Sequence, residues 1–498
     1  MRDFRLPAAR GGNLQMSSAM SSPESSTGAQ SADRPHASTS FWSDVAHALK
    51  GEQHDYTKES LNRAVLLLAV PMVLEMVMES LFAVVDVFWV SRLGRDAIAV
   101  IGLTESVMSL IYAVAIGISF AATAIVARRI GEMNPERAAQ SAAQIVMLGV
   151  TVSAALGVVA GYFAGDILRL MGASPAIVEM GTDFARLMLG GNITVFMIFL
   201  INAIFRGAGD AVLAMRTLWL ANAFNIVLGP FFIFGWGPFP EMGVTGAAVA
   251  TNIGRGIGVL YQLWHLAGHH SRVRVQLRHF RPAFDELKGI ITTSGNGILQ
   301  LVISTTSWVG LFKILSLFGS AALAGYTIAI RIVVFALMPA WGLANAGATL
   351  VGQNLGAGQP ERAEAAIRIA TRLNMILLGI VGAAFVIFAY PLVRLFTDDP
   401  EVLTYGARAL WIVSLAFPLY AAGMCMEAAF NGAGDTWTPT RLNFFCFWLG
   451  QVPLAWILAD IAGLGALGVF IAVPISFSVL ALWGWMLFKR GTWKLQKV

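Results

Sequence analysis

Three carboxylates sit inside a stretch that is otherwise almost free of charge. The segment PMVLEMVMESLFAVVDVFWV carries Glu75, Glu79 and Asp86. Spacings of four and seven residues bring all three to one face of a helix. A charged side chain in hydrocarbon costs about 2.5–3.5 kcal/mol on insertion scales, so such groups persist where they face a watered cavity, hold an ion or meet an opposite charge. Loading and release of a proton or a metal cation is the chemistry this stripe offers. Asp86 is the first candidate for that role, followed by Glu79 and then Glu75. The plainer reading is a buried ion pair, with Arg255, in the middle of a later apolar run, as the candidate partner. Pro71, one turn before Glu75, is expected to kink the helix.

Other constellations carry less. His265, His269 and His270 have metal-ligand character but lack nearby carboxylates, so a solvated face is expected and no metal site. No GxxxxGK[ST] phosphate loop is present. Cys425 and Cys446 lie in apolar stretches and read as small buried side chains. Lys313, Arg331 and Glu427 are further charges in apolar runs; Lys313 and Glu427 are expected to snorkel from helix ends. No group of residues has the spacing of a catalytic triad or metal triad, so no enzyme activity and no cofactor are expected.

These residues need elements that hold charge among apolar side chains. Of 498 residues, 57% are hydrophobic and 13% charged, with a mean hydropathy of +0.68. Globular domains average about 25% charged. The shortfall means that most of the surface meets lipid, which excludes a soluble protein. The net charge of +5 is scattered between apolar runs, so no nucleic-acid partner is expected. Runs long enough to cross about 30 Å of hydrocarbon occur at roughly 64–90, 97–127, 143–165, 184–205, 213–236 and 243–267, and again at 289–317, 322–352, 365–390, 403–430, 440–460 and 466–488. An all-α membrane protein of about twelve transmembrane helices is expected. Residues 1–56, rich in Ser, Ala, Gly and Pro, are expected to be a disordered tail with a short interfacial helix in which Phe41, Val45 and Leu49 share a face.

The two sets of six runs are copies of one unit. VARRIGEMNPERA at Val126 and VGQNLGAGQPERA at Val351 share PERA, and Pro360 minus Pro135 is 225. RGAGD at Arg206 and NGAGD at Asn431 differ by 225, as do Pro175 and Pro400, and Gly243 and Gly468. An even number of spans per copy makes the halves parallel repeats about an axis along the membrane normal, enclosing a cavity that opens to either side. The expected organisation is a first lobe at 57–270, a linker at 271–288, a second lobe at 289–490 and a tail at 491–498. Lys and Arg favour one set of loops, including those with Arg128, Arg206, Arg216 and Arg272, which by the positive-inside rule puts both termini in the cytoplasm. Adding 225 to the acidic positions leads to Gln300, Ser304 and Leu311, so the carboxylate stripe belongs to the first lobe alone.

Over residues 57–490 the chain resembles the multidrug and toxic compound extrusion (MATE) transporters, nearer their DinF-like branch. The resemblance rests on ESLFAVVDVFWVSRLG in the first span, the paired PERA and GAGD segments, NIVLGPFFI in the fifth span and GVTGAAVAT opening the sixth. It implies a secondary active antiporter in the cell inner membrane that exports lipophilic or cationic small molecules, driven by entry of H+ or Na+. It implies a V-shaped pair of six-helix lobes, acting here as a monomer in the lipid bilayer without a cofactor. The cation site it implies falls on Asp86, Asn225 and Thr251; at the position of a further fifth-span aspartate this chain has Gly229. With that carboxylate absent, Glu79 becomes its candidate substitute and protons are favoured over sodium. A lipid-linked oligosaccharide flippase of the same superfamily is the alternative function.

Overall fold

The computed structural model describes residues 41–52, 54–268 and 271–496. The expected tail up to residue 40, and His269 and His270, lie outside them. The described residues form helices and no strand, as lipid demands of a backbone that must bond to itself.

A short helix α1 (Phe41–Lys50) precedes the first half: α2 (Leu61–Ser91), α3 (Arg95–Gly131), α4 (Pro135–Tyr162), α5 (Ala164–Leu170), α6 (Pro175–Gly190), α7 (Asn192–Ala208), α8 (Ala211–Phe234) and α9 (Val244–Ala267). The second half has α10 (Phe284–Leu315), α11 (Ser320–Gly356), α12 (Pro360–Arg394), α13 (Pro400–Ser414), α14 (Phe417–Ala433), α15 (Trp437–Asn443), α16 (Val452–Trp456) and α17 (Ala466–Arg490). The repeat is written into these bounds. Both α3 and α11, and likewise α7 and α14, start and end 225 residues apart, and α4/α12 and α6/α13 start 225 apart. The turns repeat too: Gly94 and Gly319 both have φ 101°, while Gly209 and Gly434 have φ 87° and 88°, backbone that favours glycine.

Ten helical stretches among the described residues are long and apolar enough to cross a membrane, and the bent pair α13–α14 makes eleven. The sixth expected span is α9, 24 residues long, whose apolar content is diluted by Asn252, Arg255, Gln262 and His265. The PERA segments are first helical turns rather than loops: Pro135 and Pro360 open α4 and α12, where a missing N–H costs nothing. Asn134 caps α4 by accepting from the Arg137 amide at 3.0 Å. Pro71 lies within an α2 that is helical from end to end.

Helix α2 serves both halves. Its first turns, through Leu68 and Met72, are buried in the core that the second half builds, and a Cβ on Gly342 of α11 would stand 2.5 Å from the Met72 carbonyl oxygen. Its later turns carry the carboxylates toward α7, α8 and α9. The ends of α3 and α11 that lead into the PERA helices meet backbone to backbone. A Cβ on Gly131 would lie 2.0 Å from the Gln353 carbonyl oxygen, and one on Gly356 2.2 Å from that of Arg128. Gln353 also donates to the Gly207 carbonyl at 2.9 Å, and Thr349 to that of Arg206 at 3.2 Å. Toward the opposite ends of these helices, Cβ atoms built on Gly94, Gly102 and Gly319 would meet nothing within 4 Å. The lobes therefore meet backbone to backbone at the basic, PERA-bearing end, and these glycines toward the other end make no such contact.

Candidate functional site

The stripe on α2 meets a different helix at each step. Glu75 is 1% exposed; its Oε1 accepts from Arg206 of α7 at 2.7 Å and from Asn202 at 3.0 Å. Asn202 in turn accepts from Gln262 of α9 at 2.7 Å. One turn on, Glu79 accepts from Asn222 of α8 at 3.0 Å, and its other oxygen lies 3.7 Å from the Arg255 guanidinium of α9. Arg255 is buried, donates to the Tyr112 hydroxyl of α3 at 3.2 Å, and sits 5.8 Å from the Phe82 ring centroid. Two turns further, half-buried Asp86 has no hydrogen bond or ion pair to any described residue. Its electrostatic neighbours are Glu105 of α3 and Arg255. The three candidate carboxylates thus stand in different surroundings: one locked, one partly neutralised, one open.

Asn225 and Thr251 are buried and joined, the Asn225 amide donating to the Thr251 hydroxyl at 2.7 Å across α8 and α9. One turn beyond Asn225, a Cβ on Gly229 would meet only Trp89 of α2, at 4.0 Å, so this position has room for a larger side chain. The Glu75 and Glu79 partners and the Asn225–Thr251 pair are polar groups buried among the helices of the first half.

Several sequence expectations need correcting. Arg206, assigned above to a basic loop, is a buried residue in the last turn of α7, because the helix runs through Ala208 before Gly209 turns the chain. His265 does not lie on a solvated face: it is 8% exposed and packs edge-on against the rings of Tyr261 and Trp264. Glu427 does not snorkel, since its Oε1 is buried without a hydrogen-bond partner among the described residues. Glu105, Tyr112, Asn202 and Asn222 went unnoticed. Glu105 was legible as a charge inside the second apolar run; the amides and tyrosine give no sequence signal until the helices are packed. Cys425 and Cys446 are free and buried, and among the described residues no cluster of three metal-ligating side chains forms.

Comparison with known proteins matches the same two halves. The sequence model of the MatE family fits residues 71–231 and, separately, 297–457. The "Probable multidrug resistance protein YoeA" of Bacillus subtilis is 26% identical over 448 residues, 89% of this chain and 96% of that protein. The "Probable multidrug resistance protein NorM" of Thermotoga maritima is 28% identical over 443 residues, 88% of this chain and 94% of the relative. Among solved structures, the "Outward-facing conformation of a multidrug resistance MATE family transporter of the MOP superfamily" superimposes with a TM-score of 0.82 at 28% identity, over 89% of this chain and 100% of that one.

Proposed function

Since the chain belongs to the MatE family of membrane transporters, we propose that it is a secondary active antiporter that exports lipophilic or cationic small molecules in exchange for protons. The observation that carries this reading is the difference among the α2 carboxylates. Glu75 is held by Arg206, and Glu79 shares Asn222 and Arg255, whereas Asp86 keeps both oxygens free of protein partners among the described residues. A coupling ion needs a carboxylate that is not already neutralised. Glu105 acting on Asp86 favours a positive charge there and Arg255 opposes it; a proton needs only the one carboxylate, whereas a metal cation needs several oxygen ligands. Asn225 and Thr251, which brace α8 against α9, are the further members of the candidate cation site, together with Glu79 and Glu75. The basic end of the lobes, with both termini, faces the cytoplasm of a cell whose inner membrane the chain spans. Opening at the acidic end then presents the cavity to the outside.

The test is uptake of ethidium into inverted reconstituted vesicles under a proton or a sodium gradient, imposed separately, for wild type and Asp86→Asn. A proton gradient that drives uptake in wild type and fails to do so in a folded Asp86→Asn protein is the expected result. Sodium-driven uptake would replace the ion but keep the exporter; no uptake under either gradient would remove drug efflux and turn attention to lipid-linked solutes.

A further inference from the structure

Three charges share one depth along the helices, and they come from both lobes. At an inner level, Glu79 of α2, Arg255 of α9 and Tyr112 of α3 are linked, and Ser80, next to Glu79, donates to the Met338 sulfur of α11 at 2.9 Å. Helix α2 runs from this level toward the open end, and α3 and α11 run from the open end toward it. Seven residues outward on each helix lie Asp86, Glu105 and Arg331. Two turns nearly restore the same face, so each moves about 10.5 Å outward along its stripe. All three charges therefore form a second level, outward of the first, on the faces that carry the inner one. Glu105 acts electrostatically on Asp86, Arg331 of the second half acts on Glu105, and Arg255 of the inner level acts on both carboxylates. Glu105 and Arg331 are exposed, yet no ion pair within 4.0 Å joins them among the described residues. Two opposite charges that face one another without closing leave room for something between them. One turn inward of Arg331, exposed Phe335 offers an apolar surface.

We propose that this outer level is a dipolar binding site for amphipathic zwitterions, with Arg331 of the second lobe taking the solute's anionic group and Glu105 of the first lobe taking its cationic group. The solute's apolar body lies along Phe335, and Asp86 remains for the coupling ion. A purely cationic solute engages Glu105 alone, whereas a zwitterion satisfies both walls and ties the lobes together while bound. The proposal rests on the transport reading above.

Rhodamine B, which carries one cationic centre and one carboxylate, and its ethyl ester, which lacks the free carboxylate, isolate the charge in question on one scaffold. Their rates of transport are compared in reconstituted vesicles. Wild type is expected to move both, and Arg331→Gln to lower the acid-to-ester ratio about tenfold, the worth of one charge-assisted hydrogen bond. Arg331→Lys should recover most of that ratio, which a merely structural arginine would not predict, and Glu105→Gln should slow both dyes. A ratio unchanged in folded Arg331→Gln, or a wild type that moves the ester alone, overturns the dipolar site while leaving efflux standing. A wild type that moves neither dye nor ethidium overturns the transport reading as well.

Discussion

Partnering separates the acidic side chains of α2 more sharply than position does. Glu75 Oε1 takes bonds from Arg206 and Asn202, while Oε2 is buried with no hydrogen-bond partner among the described residues. Removing one member of such a pair strands a charge in a low-dielectric interior. Glu75→Gln is expected to destabilise the protein by about 3 kcal/mol, and the double replacement Glu75→Leu with Arg206→Leu to recover most of it. Denaturant unfolding in detergent measures both. A double variant less stable than either single one would mean that the pair also organises Asn202 and Gln262. Glu105 and Arg331 illustrate the converse: charges left apart are where a ligand gains most.

At the scale of elements, the segment from α1 to the start of α2 straps the basic end together. Asp44 of α1 pairs with Arg63 of α2 at 3.2 Å. The Tyr56 hydroxyl donates to the Gly209 carbonyl at 3.2 Å, beneath the turn between α7 and α8. Arg272 of the inter-lobe linker reaches the His54 carbonyl and lies 5.4 Å from the Tyr56 ring centroid. Arg362, in the first turn of α12, donates to the carbonyls of Tyr56, at 3.2 Å, and Glu59. One short segment thus touches the first lobe, the linker and the second lobe. Burial pushes the Tyr56 phenol from 10.0 up to about 12, although Arg272 works the other way. Between these values the folded chain keeps a proton that the unfolded chain has released. The stabilisation is therefore full below pH 10.0 and is lost as pH rises to about 12. Tyr56→Phe is expected to cost about 1 kcal/mol at neutral pH and to lose the steep fall in stability at alkaline pH, as followed by thermal unfolding across that range.

For the whole molecule, the contacts at the basic end hold the two halves together. Gly131, Gly352 and Gly356 allow α3 and α11 to touch there, and a Cβ on Gly356 would collide with the Arg128 carbonyl. Gly356→Leu should wedge that end apart and, if the lobes rock as rigid bodies, bring the opposite ends together. Spin labels at Ile98→Cys and Leu323→Cys, equivalent positions on α3 and α11, read the motion, since Cys425 and Cys446 are buried. The expected outcome is a shorter inter-label distance in Gly356→Leu than in wild type. An unchanged distance in a folded variant would argue that the halves do not move as levers.

Composition, apolar run lengths and the offset of 225 residues by themselves determined a helical membrane protein of two like halves, because lipid permits few backbone arrangements and duplication leaves its register in the chain. The α2 stripe was equally legible, since helical periodicity is local. The identity of each partner was not. Glu75 and Arg206 are 131 residues apart, and Glu105 and Arg331 lie in different halves. Nothing in their local sequence distinguishes Arg206 from a loop arginine; only the continuation of α7 and its packing on α2 turn it inward. The place where the halves touch likewise awaited the tertiary structure, because it depends on which glycines meet another helix's backbone.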